Sequence, residues 1–366
     1  MNFSTGKALP QSDGIEDRRL KIGDSKTSSP PSALLLLSTM LGLAFFFSGC
    51  GDSARLVVYS AGPRPLAETL CETFTEQTGI EVRLFSATTG QIMAKLEAER
   101  FNPRADVVIL ANQAGAMALK SGGRLMEYRP PGLESTLAEW HDKDGYFHAS
   151  AAAIVGIASR EGGMPDLSGG WRHLLLHPQA LVMPSPSRSG TASEFLLNYY
   201  QMHPNTFWTD FETAREQGLQ IVGANSQAIT GLLIGAYDAV FSAADYIICR
   251  EIQKGEPLQV GYPPEGAPYI FRPIAIMATT HRPDEARAFV DHIFSRASQE
   301  AIAGQHLLPA LKDVPLSSIR ARFPVPPPLP FDAYKALEDQ KTLIRKFQYE
   351  IERAIVVPGK AEGGNP

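Results

Sequence analysis

Only three cysteines, Cys50, Cys71 and Cys249, occur in the 366-residue chain, and no CxxC pair lies among them. That excludes a disulfide framework and a cysteine-built metal or redox centre. The chain has no Lys/Arg block, and its net charge of -5 gives no footprint for nucleic acid. It lacks a G-x-S-x-G elbow, an H-E-x-x-H pair, a P-loop and a G-x-G-x-x-G opening a first βα turn. A hydrolase using Ser189 or Ser242 is therefore the weaker alternative, and the expectation is that the chain is not an enzyme. Histidines such as His141, His148 and His281 stand without ligand spacing. With 44% apolar and 20% charged residues, what is present is an ordinary globular composition, long enough for two domains.

Long apolar runs are also scarce; the one exception is Ala33 to Phe47 (ALLLLSTMLGLAFFF). It is shorter than the ~20 residues of a stable span and ends in Ser48-Gly49-Cys50, as a signal-peptide core does. The junction resembles a bacterial lipobox, with Phe47 where Leu is usual. The resemblance implies that Cys50 is diacylated and becomes the new N-terminus. The chain is then exported to the periplasm or the outer face of the cytoplasmic membrane. Residues 1–49 leave the fold argument as signal peptide.

After Cys50 the pattern alternates. Arg55 to Ser60 (RLVVYS) reads as a strand, and Leu66, Leu70, Phe74 and Ile80 mark a helix face. Glu81 to Phe85 and Asp106 to Leu110 repeat the strand signal. Each hands over to a turn and helix, at Thr88-Thr89-Gly90 and at Asn112-Gln113. From Ile154 the pattern restarts. Ala180 to Met183 is followed by a turn at Ser189-Gly190-Thr191, Ile221-Val222 by Asn225-Ser226-Gln227, and Ala239 to Phe241 by Ser242 to Tyr246. Such alternation predicts an α/β fold with mixed, mostly parallel sheets covered on both faces. Arg272 to Ala278 would return the chain to the first unit. Pro324 to Pro330 (PVPPPLP) is a stiff linker, and Ala333 to Ile355 a closing amphipathic helix.

The opening LVVYSA, FTEQTGIEV, LEAERFNPRADVVIL, PSPSRSGTA and GEPLQVGYPPEGAPYIFRPIAI, in that order, resemble the solute-binding proteins of ABC importers. The likeness is to the iron(III)-type and phosphonate-type subfamily of type II periplasmic binding proteins. It implies two lobes joined by a two-stranded hinge and closing on a ligand. Lobe 1 is expected at 50–152 and 266–310, lobe 2 at 153–265, and the linker with its closing helix at 311–366. It also implies a monomer without cofactor, which contacts an ABC permease and its ATPase, and the membrane through the lipid anchor.

In open α/β sheets ligands sit beyond the carboxyl ends of the strands, at helix N-termini. The loops there carry Ser60-Ala61, Thr88-Thr89-Gly90, Asn112 and Ser187-Arg188-Ser189-Gly190-Thr191, rich in backbone N–H groups and hydroxyls. This points to a small anionic solute, and the resemblance implies a phosphonate or phosphorylated organic compound. Asn225 and Gln227 offer amides; Asp245 and Tyr246 offer a carboxylate and a phenol, Asp245 equally serving as a helix cap. Arg272 either reaches the cleft or forms a hinge ion pair. The alternative solute is ferric iron or a ferric chelate, with Tyr246 as a ligand. Bare-iron members of the family offer adjacent tyrosines, and the stretch Ala244-Asp245-Tyr246-Ile247 has one. Tyr199-Tyr200 is expected to pack inside a helix.

Overall fold

Short β-branched runs become strands where their two faces can be buried, and the periodic segments between them become the covering helices. The computed structural model describes residues 55–353 except Gln179. The apolar run and Cys50 lie outside the described residues.

The first half comprises β1 (Leu56–Ser60), α1 (Arg64–Thr78), β2 (Val82–Ser86), α2 (Thr89–Ala98), β3 (Val107–Ile109), α3 (Gln113–Ser121) and β4 (Leu125–Met126). The long β5 (His148–Arg160) then leads to α4 (Gly170–Leu176), β6 (Leu181–Pro184), α5 (Gly190–Met202), α6 (Phe207–Glu216), β7 (Gln220–Val222), α7 (Asn225–Leu233), β8 (Ala239–Ala244), α8 (Asp245–Gln253) and β9 (Leu258–Gly261). The chain returns through β10 (Tyr269–Met277), α9 (Pro283–Ile293), α10 (Arg296–Gly304) and β11 (Leu308–Pro309), and ends in α11 (Ala333–Phe347). A π-helical turn, Gln348–Glu352, prolongs α11.

The two halves repeat one plan. β2, β1 and β3 run parallel and are flanked by antiparallel β10; β7, β6 and β8 run parallel and are flanked by antiparallel β5. The strand β5 joins them, pairing with β10 over His148 to Ile154 and with β8 from Val155 onward. Ile154/Val155 in β5 and the segment entering β10 are thus the two crossings between halves, as the two-stranded hinge requires. One large apolar cluster runs through both halves, from Phe74 and Phe289 to Trp171, Phe195, Phe211 and Phe347. Two smaller clusters cover the opposite sheet faces. α11 packs against α3 of the first half and α5 of the second.

Several local readings shift. Thr88 and Ser189, expected in turns, are N-caps, each accepting a hydrogen bond from the third backbone N–H that follows. β8 extends to Ala244, through the expected turn, because Ser242 takes a φ of 60° beside a bulge in its pairing with β5. Helices α4, α6, α9 and α10 are absent from the pattern reading. Tyr199 packs between aromatic rings as expected, and its hydroxyl donates to Asp210 Oδ2 at 2.7 Å. Cys71 and Cys249 are buried free thiols, both pushed up to about 12 by burial. Among the described residues no helix is long and apolar enough to cross a membrane.

Candidate functional site

Hydrogen bonds between loops gather the carboxyl ends of the first three strands. Ala61 N donates to Ile109 O at 2.8 Å, Ala111 N to Thr89 Oγ1 at 3.1 Å, and Leu110 N to Pro273 O at 2.9 Å. Ser60, Ala61, Thr89, Asn112 and Arg272 therefore share one edge of the first sheet. Gly90 has open space around its Cα. Thr88 is occupied locally: its backbone N–H and hydroxyl donate to Gln91 Oε1, and its hydroxyl accepts from Gln91 N. Asn112 Oδ1 is buried and has no partner among the described residues.

A second network forms at the matching edge of the other sheet. Ser189 Oγ donates to Asn225 Oδ1 at 2.7 Å, and Asn225 Nδ2 donates to Thr191 Oγ1 at 3.2 Å. Ser187 Oγ lies 2.8 Å from Ser185 Oγ and accepts from Gln348 Nε2, beyond α11, at 3.4 Å. Gly190 is open, Arg188 is exposed, and Gln227 turns back to accept from Ala224 N at 3.0 Å. The loop Ser187 to Thr191 and Asn225 thus act as one unit, with Gln227 spent on its own helix start.

Asp245 stands at the crossing of the halves, 1% exposed. Its Oδ1 accepts from Ile154 N at 2.9 Å and from Tyr246 N at 2.7 Å; its Oδ2 accepts from the Tyr262 hydroxyl at 3.3 Å. Arg320 Nε lies 2.9 Å from Oδ2, with both side chains buried, and Arg320 Nη1 donates to Phe323 O at 3.0 Å. Burial pushes the Asp245 carboxyl up; Arg320 and the three donors pull it back. Its oxygens are thereby committed to holding the start of α8, and with it Tyr246.

Tyr246 in turn faces Arg272, whose guanidinium sits 5.2 Å from the ring centroid. Arg272 is 8% exposed, yet its side chain has no hydrogen bond or carboxylate partner among the described residues, and its Nε is buried and unpartnered. It lines a crevice with Ser60, Gly62 and Ser150 whose other walls are apolar, Leu66, Leu70 and Ile293 among them, and Ser150 Oγ donates to its carbonyl at 3.2 Å. A buried guanidinium presents five donors in a fork that matches carboxylate and phosphate. Left unpaired, it is costly. Among the described residues no group of three His, Cys, Asp or Glu is placed to hold a metal ion.

Sequence reading missed Ser150, Tyr262, Arg320 and Glu194. Ser150 had a weak signal as the hydroxyl inside an alanine-rich strand; Arg320 had none. Glu194, on α5, is 8% exposed and has no side-chain partner among the described residues, and burial alone pushes its carboxyl up to about 7. A lone acid among FLLNYY neighbours was its legible mark.

Residues 56–307 match the family model described as bacterial extracellular solute-binding protein. A probable ABC transporter periplasmic-binding protein of Sinorhizobium fredii is 26% identical over 275 residues, covering 69% of this chain and 75% of that one. The ferric binding protein from Campylobacter jejuni has a similar fold, with a TM-score of 0.72 at 20% identity, over 81% of this chain and 99% of that one. The periplasmic binding protein AfuA from Actinobacillus pleuropneumoniae, with exogenous fructose-6-phosphate bound, gives 0.68 at 22% identity, over 82% and 99%. The chain belongs to the bacterial extracellular solute-binding proteins.

Proposed function

We propose that this chain, as the solute-binding subunit of an ABC importer, captures a small organic anion, a phosphonate or phosphorylated compound, between the two halves and delivers it to a permease driven by a separate ATPase. The observation that carries the reading is Arg272, a nearly buried guanidinium without a counter-charge among the described residues, at the sheet edge that also presents Ser60, Ala61, Thr89 and Asn112. The loop Ser187 to Thr191 and Asn225 supplies hydroxyl, amide and backbone groups from the other half. A ligand bridging both sets favours the closed arrangement by its differential affinity. The site binds and releases its solute without turnover. Cys50, if diacylated, tethers the protein to the membrane, and the working unit is a monomer.

The family spans ligands of different charge, since the AfuA structure is described with a sugar phosphate and its Campylobacter neighbour as a ferric binding protein. The stacked pair of Arg272 and Tyr246 favours the anion, because a cation beside the phenol opposes a bound ferric ion.

A thermal-shift screen comparing sugar phosphates, phosphonates, inorganic phosphate, ferric citrate and ferric iron tests this. A ligand at a hundredfold over its Kd adds roughly 2.7 kcal/mol, and Arg272→Met should cost about 2–5 kcal/mol of binding. Stabilisation by ferric species alone overturns the reading.

A further inference from the structure

The strands of the first sheet have two edges of unlike chemistry. Their carboxyl edge carries Ser60, Thr89, Asn112 and Arg272. At their amino edge Leu56 of β1 pairs with Val82 of β2, and Asp106 N, entering β3, donates to Val57 O at 2.9 Å. The antiparallel β10 leaves the sheet at this same edge, where the Thr280 hydroxyl donates to Asp106 Oδ1 at 2.6 Å. Arg55 before β1, Arg83 in β2 and the turn Arg100-Phe101-Asn102-Pro103-Arg104 before β3 therefore lie along this edge. Arg124 joins them, since its carbonyl accepts from Ala278 N at 2.9 Å.

Phe101 is 97% exposed. A single exposed ring is ordinary on a protein surface. This one stands in a basic setting on a chain of net charge -5. Arg100, Arg104 and Arg124 line one cavity of about 170 Å³. The acids nearby are already spent: Glu81 faces Arg55 at 2.7 Å, and Glu99 faces Lys95 at 2.6 Å and accepts from the Tyr59 hydroxyl at 2.8 Å. One carboxylate, Glu97, serves both Arg100 at 3.4 Å and Arg124 at 3.3 Å, and the exposed Arg104 has no carboxylate partner among the described residues. Guanidinium groups in surplus around a hollow, with an aromatic ring in the same turn, suit the phosphates and acyl boundary of a lipid surface.

The tether brings that surface to this edge. Cys50 stands five residues before Arg55, so a diacylated Cys50 holds the start of β1 within about 18 Å of the bilayer. We propose that the amino edge of the first sheet is a membrane-docking surface, on which Arg100, Arg104 and Arg124 bind the headgroups of anionic phospholipids and Phe101 enters the headgroup boundary. This goes beyond solute capture and rests on the reading of Cys50 as a lipid anchor. The anchor keeps the chain near the bilayer; the edge sets which way it faces. Ser60, Thr89, Asn112 and Arg272 lie at the opposite ends of the same strands, so a chain resting on this edge turns its ligand-binding edge toward the solution.

The processed chain, purified from cells and reconstituted in phosphatidylcholine vesicles with and without phosphatidylglycerol, tests the contact. The mass of its N-terminal peptide reads the acylation of Cys50 separately. Phe101→Trp places an indole in the turn, to be quenched by phospholipid brominated on its acyl chains. Quenching should appear in the vesicles that contain phosphatidylglycerol and fall at high salt. Arg100→Gln and Arg104→Gln should each lower the ratio of docked to free forms about fivefold. Ile234→Trp, in the corresponding turn of the second half and 76% exposed, should stay unquenched. In an acylated chain, an unquenched Phe101→Trp, equal quenching of the two indoles, or quenching indifferent to phosphatidylglycerol overturns the docking edge and leaves the anchor standing. An N-terminal peptide without acyl chains overturns the anchor and the docking edge together, and leaves solute capture standing.

Discussion

Two arginines are buried near the crossing of the halves, each over a tyrosine ring, and they differ in whether a carboxylate faces them. Arg320 is fully buried beside Asp245 and a backbone carbonyl, and it comes from the segment after the family match ends. Arg272, on β10, has a ring face and no counter-charge among the described residues. The first is a charge the fold has already neutralised; the second is a charge the fold leaves for something else. Burial of an ionised group is therefore not by itself a sign of a binding site, whereas burial without compensation is.

The contrast can be broken most directly at Arg320. Arg320→Met leaves Asp245 buried and unpaired, and chemical denaturation should show a loss of about 3–5 kcal/mol. Arg272→Met removes an uncompensated charge, so the ligand-free protein should keep its stability or gain about 1 kcal/mol, while ligand-induced stabilisation disappears. Equal destabilisation by both variants would remove the distinction.

Glu194 is the acidic counterpart of Arg272, and its pH behaviour sharpens the comparison. Its folded pKa of about 7 lies above the ordinary 4.5. The folded state thus holds a proton that the unfolded state releases first. Its contribution is full below pH 4.5 and is lost as pH rises through 7, with a span of roughly 3 kcal/mol. Glu194→Gln should match the parent protein near pH 4.5 and exceed it in stability above pH 7, as paired denaturation curves will reveal. The smallest effect is expected at Arg188, whose side chain is exposed and has no partner among the described residues. Arg188→Ala should change stability negligibly and binding by at most about 1 kcal/mol, measured by calorimetry.

Much of the fold was legible because strand and helix periods differ and because hydroxyl-rich loops recur where strands end. The run Leu56 to Ser60, the strand before Ser187, and the return through Arg272 to Met277 all stand where the pattern put them. Boundaries at Ser189 and Ser242 shifted because a cap residue and a bulge residue share the composition of a turn. The candidate site was legible as a set of loops, but not as a division of labour. Thr88, Gln227 and Asp245 look as available in sequence as Asn112 and Arg272, and only geometry shows that they are already spent. The Asp245 and Arg320 pairing joins residues with no local signal linking them.

The pairing of β3 with β10 bears on the order in which the protein folds. These neighbours in the first sheet are separated in the chain by the entire second half. The first sheet therefore cannot be completed until the second half has been synthesised. Contacts this distant in sequence form slowly. A nascent chain therefore stays open until β10 has been made, and the first sheet closes only then.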